Sequence, residues 1–225
     1  MIEPLVVILP CYNAGPSLEK VVKDLRAHLP KAFIIGVDDG STDGSRPLIK
    51  KVCDQVIVFE KNKGKGMALR AGFAMALEKG AAAVLTIDSD GQHDAAFAPS
   101  IVNALDRADI VIGTRDFAGE AVPKHRRIAN IISSAATRAV SGGRVRDSQS
   151  GYRAFKAEVL RKVDAKGDRY EFETDFIILA ARMGFTSVNV PISTIYGSPS
   201  YFNEFSDAWL VIKVLWRHKA AIFNR

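Results

Sequence analysis

The chain has 225 residues, 48% of them hydrophobic, enough apolar content for one substantial core and too little length for two ordinary domains. Its 31 basic against 25 acidic residues leave a net charge of +6, which suits a phosphate-rich ligand, an anionic membrane face or nucleic acid without selecting among them. Two cysteines, Cys11 and Cys53, exclude a disulfide framework, so a reducing, cytoplasmic setting is the expectation.

The first residues lead directly into Leu5–Leu9, without the basic start, apolar stretch and small-residue cleavage site of a secretory signal. No apolar run approaches the ~20 residues that cross a bilayer, so the expected protein is soluble or at most peripheral at the inner face of the membrane. Apolar runs at Leu5–Leu9, Phe33–Val37, Val56–Phe59, Ala83–Ile87 and Ile110–Ile112 each have the length of a strand buried on both faces. Between them, Leu18, Val21, Val22, Leu25 and Leu29 repeat at helical spacing after Pro16. A second helix is predicted over Lys65–Lys79, stopping at Gly80, and a third over Ala96–Arg107 with Phe97, Ile101 and Leu105 turned inward. Strands alternating with helices predict an α/β domain with a mostly parallel central sheet and helices on both faces.

Beyond Arg115 the alternation fails. Arg127–Val140 reads as an amphipathic helix, with Arg127, Asn130, Ser134 and Arg138 on its polar stripe. A turn-rich stretch over Gly142–Tyr152 follows, then a helix near Glu173–Met183, a strand near Val188–Pro191, and a segment over Trp209–Ala221 that mixes Trp and basic residues.

In parallel sheets ligands sit beyond the carboxyl ends of the strands, and there this sequence is rich in chemistry. After the first run stands Pro10-Cys11-Tyr12-Asn13, after the second Asp38-Asp39-Gly40-Ser41-Thr42-Asp43, after the fourth Asp88-Ser89-Asp90-Gly91-Gln92, and after the fifth Gly113-Thr114-Arg115. Asp88 and Asp90, with the amide oxygen of Gln92, are hard oxygen donors of the kind that Mg²⁺ or Mn²⁺ takes. The same residues also build ordinary turns. Asp38 and Asp39 can accept hydrogen bonds from a nucleobase or ribose, or belong with Ser41, Thr42 and Asp43 to a helix cap. Asn62-Lys63-Gly64-Lys65-Gly66 offers ammonium groups and flexible backbone ahead of a helix, a cradle for diphosphate or a solvated basic loop. It lacks Walker A spacing, and no GxGxxG follows the first strand. Acidic strand ends and scattered basic residues argue against a nucleic-acid partner.

Taken together and in this order, these motifs resemble the family 2 glycosyltransferases of the GT-A fold, and within them the dolichyl-phosphate mannose synthase-like branch. Asp147-Ser148-Gln149-Ser150-Gly151-Tyr152-Arg153 is similar to the acceptor-side loop of that branch. The resemblance implies a GT-A-type single domain over 1–200 and a C-terminal amphipathic helical segment over 201–225. It implies inverting, metal-dependent transfer of a sugar from a GDP- or UDP-linked donor. Pro10, Tyr12, Asn13, Asp38, Asp39, Lys65, Asp88 and Ser89 would bind the nucleotide, and Asp88, Asp90 and Gln92 the Mn²⁺ or Mg²⁺. Asp90, Arg115 and Glu173 would be catalytic, Glu173 as a base if the acceptor is an alcohol, with a helix-start carboxylate as the plainer reading of that residue.

Arg127, Asn130, Ser134, Asp147, Ser150 and Arg153 would meet the acceptor, a polyprenyl phosphate or another lipid-linked or glycan molecule. Two positions depart from the family pattern: Ala14 stands where members often carry an acidic residue, and no Lys or Arg follows Tyr196-Gly197 before Glu204. Trp209, Ile212 and Trp216 would lie in a membrane interface, pack on the core or join a second copy in a homo-oligomer. A nucleotidyltransferase and a non-catalytic nucleotide-sugar-binding protein are the alternatives.

Overall fold

The computed structural model describes residues 2–115, 133–140, 145–193 and 206–223. Arg127, Asn130 and the stretch from Tyr196 to Glu204 lie outside them. The described elements are β1 (Leu5–Cys11), α1 (Ser17–His28), β2 (Phe33–Asp38), α2 (Ser45–Val52), β3 (Gln55–Val58), α3 (Lys65–Glu78), β4 (Ala83–Thr86), α4 (Ala98–Asn103), β5 (Ile110–Arg115), α5 (133–140), β6 (Arg153–Lys156), α6 (Ala157–Lys162), α7 (Glu171–Arg182), β7 (Ser187–Ile192) and α8 (Ser206–Phe223).

The strands form one seven-stranded sheet in the order β3-β2-β1-β4-β6-β5-β7, parallel except for β6. The period of two along β1 divides the core. Leu5, Val7 and Leu9 pack with Leu18, Val22 and Leu25 of α1 and with Ile101 of α4 on one face. Val6 and Ile8 pack with Leu69 and Phe73 of α3 and with Phe172 and Phe176 of α7 on the other. There Phe155 meets Phe73 and Phe176 edge-on, with ring centroids 5.6 and 5.3 Å apart.

Three features depart from the sequence expectation. The predicted helix over Ala96–Arg107 is a composite: 3₁₀ turns at Ala95–Phe97 and Ala104–Asp106 bracket the short α4, whose first turn carries Pro99. Directly after the predicted turn-rich passage over Gly142–Tyr152, where the sequence points to no element before Glu173, Arg153–Lys156 forms the antiparallel strand β6, and α6 follows it. β6 is inserted between β4 and β5, with Arg153 opposite both Thr86 and Ile112. That insertion carries residues 147–151 to the carboxyl ends of β4 and β5.

Candidate active site

The ends of β1, β2 and β4 are laced together. Ser89 Oγ donates to the Pro10 carbonyl at 2.8 Å, and the Asp39 N–H donates to the Cys11 carbonyl at 2.8 Å. Asn13 holds the left-handed conformation at φ 51°, which its short polar side chain tolerates; its Oδ1 accepts from the Thr42 N–H at 2.8 Å, and its own N–H donates to Ser41 Oγ at 3.0 Å. Tyr12 is half-buried on the same rim. Asp38 is wholly buried, bonded by Arg46 Nε at 2.7 Å and by the Ser41 N–H at 3.0 Å. Asp43 accepts from the Ser45 N–H at 3.0 Å just ahead of α2, whose N-cap position is Gly44, so none of Ser41, Thr42 and Asp43 is the N-cap itself.

Asp39 ties the next loop to β2: its two oxygens accept from the N–H groups of Lys63 at 2.7 Å and Gly64 at 2.9 Å. Burial pushes its carboxyl up, against those two bonds. Gly64, at φ 97°, has Asp168 O only 2.3 Å from where a Cβ would stand, so glycine is required here on both counts. The bend delivers Lys65, the first residue of α3, into the site.

Lys65 is the centre of the charge arrangement. Its Nζ lies 2.7 Å from Asp88 Oδ1 and 3.3 Å from Glu173 Oε2, and 5.7 Å from the ring centre of Tyr170. Burial works against the Lys65 charge, but Asp88 and Glu173 outweigh it and hold the ammonium above the usual lysine range. Burial alone would likewise raise the Asp88 carboxyl; Lys65, followed by His93, whose Nε2 is 3.7 Å away, holds it well below the usual carboxylate range. Gly151 backs this pair: a Cβ there would stand 2.3 Å from Asp88 Oδ2 and 2.6 Å from Lys65 Nζ.

Asp90 sits differently. Burial and then the Asp88 charge push its carboxyl up, while one oxygen accepts from the Gln92 N–H at 2.9 Å. With its pKa above the unfolded value, Asp90 favours the fold only when protonated and loses that contribution as pH rises through the raised value. Asp90→Asn is therefore expected to stabilise the metal-free protein at neutral pH by about 1 kcal/mol, or roughly 2–4 °C. The gain should disappear in acid, where the native carboxyl is already neutral. Calorimetric melts across that range check it; an equal shift at every pH would refute the electrostatic account.

The acceptor-side candidates divide. Asp147, fully buried, takes Arg115 in a two-pronged pair, with Nε 2.7 Å from Oδ2 and Nη2 3.0 Å from Oδ1. Ser134 of α5 is buried and accepts from the Ser148 N–H at 2.9 Å, and Ser150 accepts from the Tyr152 N–H at 3.3 Å. Arg153 is buried, and its guanidinium donates to the carbonyls of Ser150 at 2.7 Å, Ser148 at 2.7 Å and Glu173 at 3.1 Å. It binds the loop to α7. Burial lowers its pKa, and the carbonyls supply the solvation that water would have given.

Among the described residues no three His, Cys, Asp or Glu side chains form a closed metal cage. Asp88, Asp90 and the Gln92 amide nevertheless fit Mg²⁺ or Mn²⁺, which are commonly held by one or two carboxylates and completed by substrate phosphates and water. The donor set is all oxygen, and a cationic group, the Lys65 ammonium, already lies against Asp88.

The family 2 glycosyl transferase model matches residues 6–164. The chain belongs to glycosyl transferase family 2. This transferase is 34% identical over 203 residues to a polyprenol monophosphomannose synthase of Mycolicibacterium smegmatis, a match covering 84% of this chain and 76% of that one. It is 31% identical over 218 residues to a UDP-N-acetylglucosamine–dolichyl-phosphate N-acetylglucosaminyltransferase of Methanococcus voltae, covering 85% and 86% of the two chains. Among solved structures, glucosyl-3-phosphoglycerate synthase of Mycobacterium tuberculosis in complex with Mn²⁺, UDP and phosphoglyceric acid superposes with a TM-score of 0.77 at 21% identity, over 95% of this chain and 78% of that one. The transferase thus has the GT-A fold, as its motifs implied; the family match and the two glycosyltransferase relatives, not the fold, set aside the nucleotidyltransferase alternative. His93, Gly151 and Tyr170 join the residues around Lys65 and Asp88. Gly151 lay within the Asp147–Arg153 motif and His93 directly follows Asp88–Gln92, whereas nothing local marked Tyr170.

Proposed function

We propose that this transferase moves a sugar from a nucleotide diphosphate donor to a polyprenyl-type lipid phosphate, inverting the anomeric centre and using Mn²⁺ or Mg²⁺. The observation that carries the reading is the convergence of Asp88, Asp90 and Lys65 at the carboxyl end of β4, beside a loop bound through Asp39. Asp88, Asp90 and Gln92 would hold the metal, which neutralises charge on the diphosphate oxygens. Lys65 would add positive charge beside the diphosphate once the metal takes over Asp88, while Glu173 keeps its hold on the ammonium. Asp38, Asp39 and Tyr12 would frame the nucleoside, with Pro10, Asn13 and Ser89 holding their strand ends in place.

The acceptor phosphate oxygen forms the new bond to the anomeric carbon from the face opposite the diphosphate. The old carbon–oxygen bond breaks, and the nucleoside diphosphate leaves with its electron pair. A phosphate acceptor is already ionised near neutral pH and needs no base, which accords with Glu173 being buried against Lys65. The names of the two relatives support a lipid phosphate acceptor, although their sugars differ. The Arg115–Asp147 pair, and Ser134 and Ser150 behind it, would shape the acceptor side, with Arg127 and Asn130 proposed for the same role from sequence.

GDP- and UDP-linked sugars with and without Mn²⁺ test this reading by thermal shift. One donor at 100 times its Kd is expected to add about 2.7 kcal/mol, only with metal present, and not in Asp90→Asn. Transfer assays with that donor should label a polyprenyl phosphate and spare simple alcohols. No stabilisation by any donor, or labelling of alcohols alone, would overturn it.

A further inference from the structure

The helix α8 leaves the fold with one face engaged and one face open. Val211, Val214 and His218 are buried, and α8 packs along α7. His218 Nε2 lies 2.7 Å from Asp175 Oδ1, and Arg182 Nη2 donates to the His218 carbonyl at 2.6 Å, which fixes the rotation of α8 about its axis. The opposite face carries Trp209, Ile212 and Trp216, exposed by 57, 47 and 75%. At helical spacing these three form a stripe along one side, and exposed Lys213 and Arg217 border it. The Lys213 ammonium stands 5.7 Å from the Trp209 ring centre.

We propose that this face docks the protein on an anionic lipid bilayer. Indole rings favour the headgroup level of a membrane, where their apolar bodies are covered and their N–H groups stay wet. Lys213 and Arg217 add attraction to anionic headgroups, and the whole chain is cationic at +6. Residues 209–218 contain no carboxylate. A second copy meeting this face across a two-fold axis would therefore set the Lys213 and Arg217 borders against each other with no acid between them, whereas an anionic surface complements them. Among the described residues no helix is long and apolar enough to cross a membrane, so α8 would lie on the surface.

The inference rests on the proposed function only for what it brings together. Asp175, which grips α8, and Glu173, which grips Lys65, are on the same turn of α7, so a membrane-bound α8 would hold the site at a fixed orientation to a lipid phosphate.

Trp209 and Trp216 are the two tryptophans of the chain, so its intrinsic fluorescence reports on this face directly. With phosphatidylglycerol-containing vesicles, emission of the full chain is expected to shift to the blue and be quenched by brominated lipid. Both signals should be weak with pure phosphatidylcholine. Lys213→Glu should lower co-sedimentation with the anionic vesicles at least ~10-fold, as should added salt, whereas Arg217 is left in place because it also reaches Asp175 at 3.8 Å. Trp209→Ser with Trp216→Ser should do the same, and both sets of variants should keep donor-induced thermal stabilisation, since Trp209, Lys213 and Trp216 are exposed on the face turned away from α7.

Emission unchanged by vesicles would overturn the proposal. So would emission already blue in buffer, with a dimer by light scattering that the tryptophan variant dissolves, since a second copy would then cover the face. Donor stabilisation is read separately, so failure of vesicle binding leaves the transferase reading standing, and failure of donor binding leaves the docking face standing.

Discussion

Gly151→Ala is expected to lower transfer by about 10²-fold or more while leaving the melting temperature nearly unchanged. The added Cβ would fall 2.3 Å from Asp88 Oδ2 and 2.6 Å from Lys65 Nζ. Both are the far ends of side chains, so the backbone can accept alanine if the carboxylate and the ammonium move aside. Those are the two groups whose placement matters most for a metal-bound diphosphate. Misplacing reacting or charge-stabilising groups by about 1 Å costs on the order of 10²-fold in rate. Initial rates with the identified donor, together with Mn²⁺ titration of donor binding, check the prediction. A variant with native rates would show that Asp88 does not act from the position seen here.

The second large effect concerns Lys65. Lys65→Met should destabilise the metal-free protein by about 3 kcal/mol, because it strands a buried Glu173 and removes the partner of Asp88. Lys65→Met combined with Glu173→Gln should recover a good part of that stability, since the stranded charge is gone, without restoring transfer. Glu173→Gln alone separates two roles. If Glu173 positions Lys65, the KM for donor rises and kcat changes less; if it is a base, kcat collapses at unchanged donor KM and the loss follows a single titration. Thermal melts and steady-state kinetics on the three variants decide between them, and equal stability of wild type and Lys65→Met would remove the basis for the positioning role.

The parts of the fold legible in the sequence are those where one chain segment carries its own signal. Runs such as Leu5–Leu9 and Phe33–Val37 are apolar throughout because both faces of the sheet are covered, and Asp38 and Asp88 could be found because carboxylates directly follow such runs. β6 gave no such signal: Arg153 and Lys156 frame only two apolar residues, and the strand exists because β4 and β5 each need a neighbour. The same strand buries Arg153, which the sequence alone offered as an acceptor-side residue. Burial of an arginine depends on carbonyls brought from Ser148, Ser150 and Glu173, an arrangement that no spacing rule contains. Lys65 was visible as a basic residue ahead of a helix. Its grip on both Asp88 and Glu173 was not, because those partners come from distant segments joined only by the folded sheet.

The place of β6 also constrains how the chain acquires its shape. β4 ends at Thr86, but the neighbour that closes its far edge starts only at Arg153, and β5 reaches the rest of the sheet only through that late strand. A nascent chain emerging in order can pair β1, β2, β3 and β4 early, and must then carry an open edge on β4 while the whole passage between β5 and β6 is synthesised. An open edge invites pairing with another molecule. The centre of the sheet, where the site is built, is thus sealed late, with only the edge strand β7 still to be added, and premature termination anywhere before Arg153 would leave a sticky half-sheet in place of a smaller, self-contained domain.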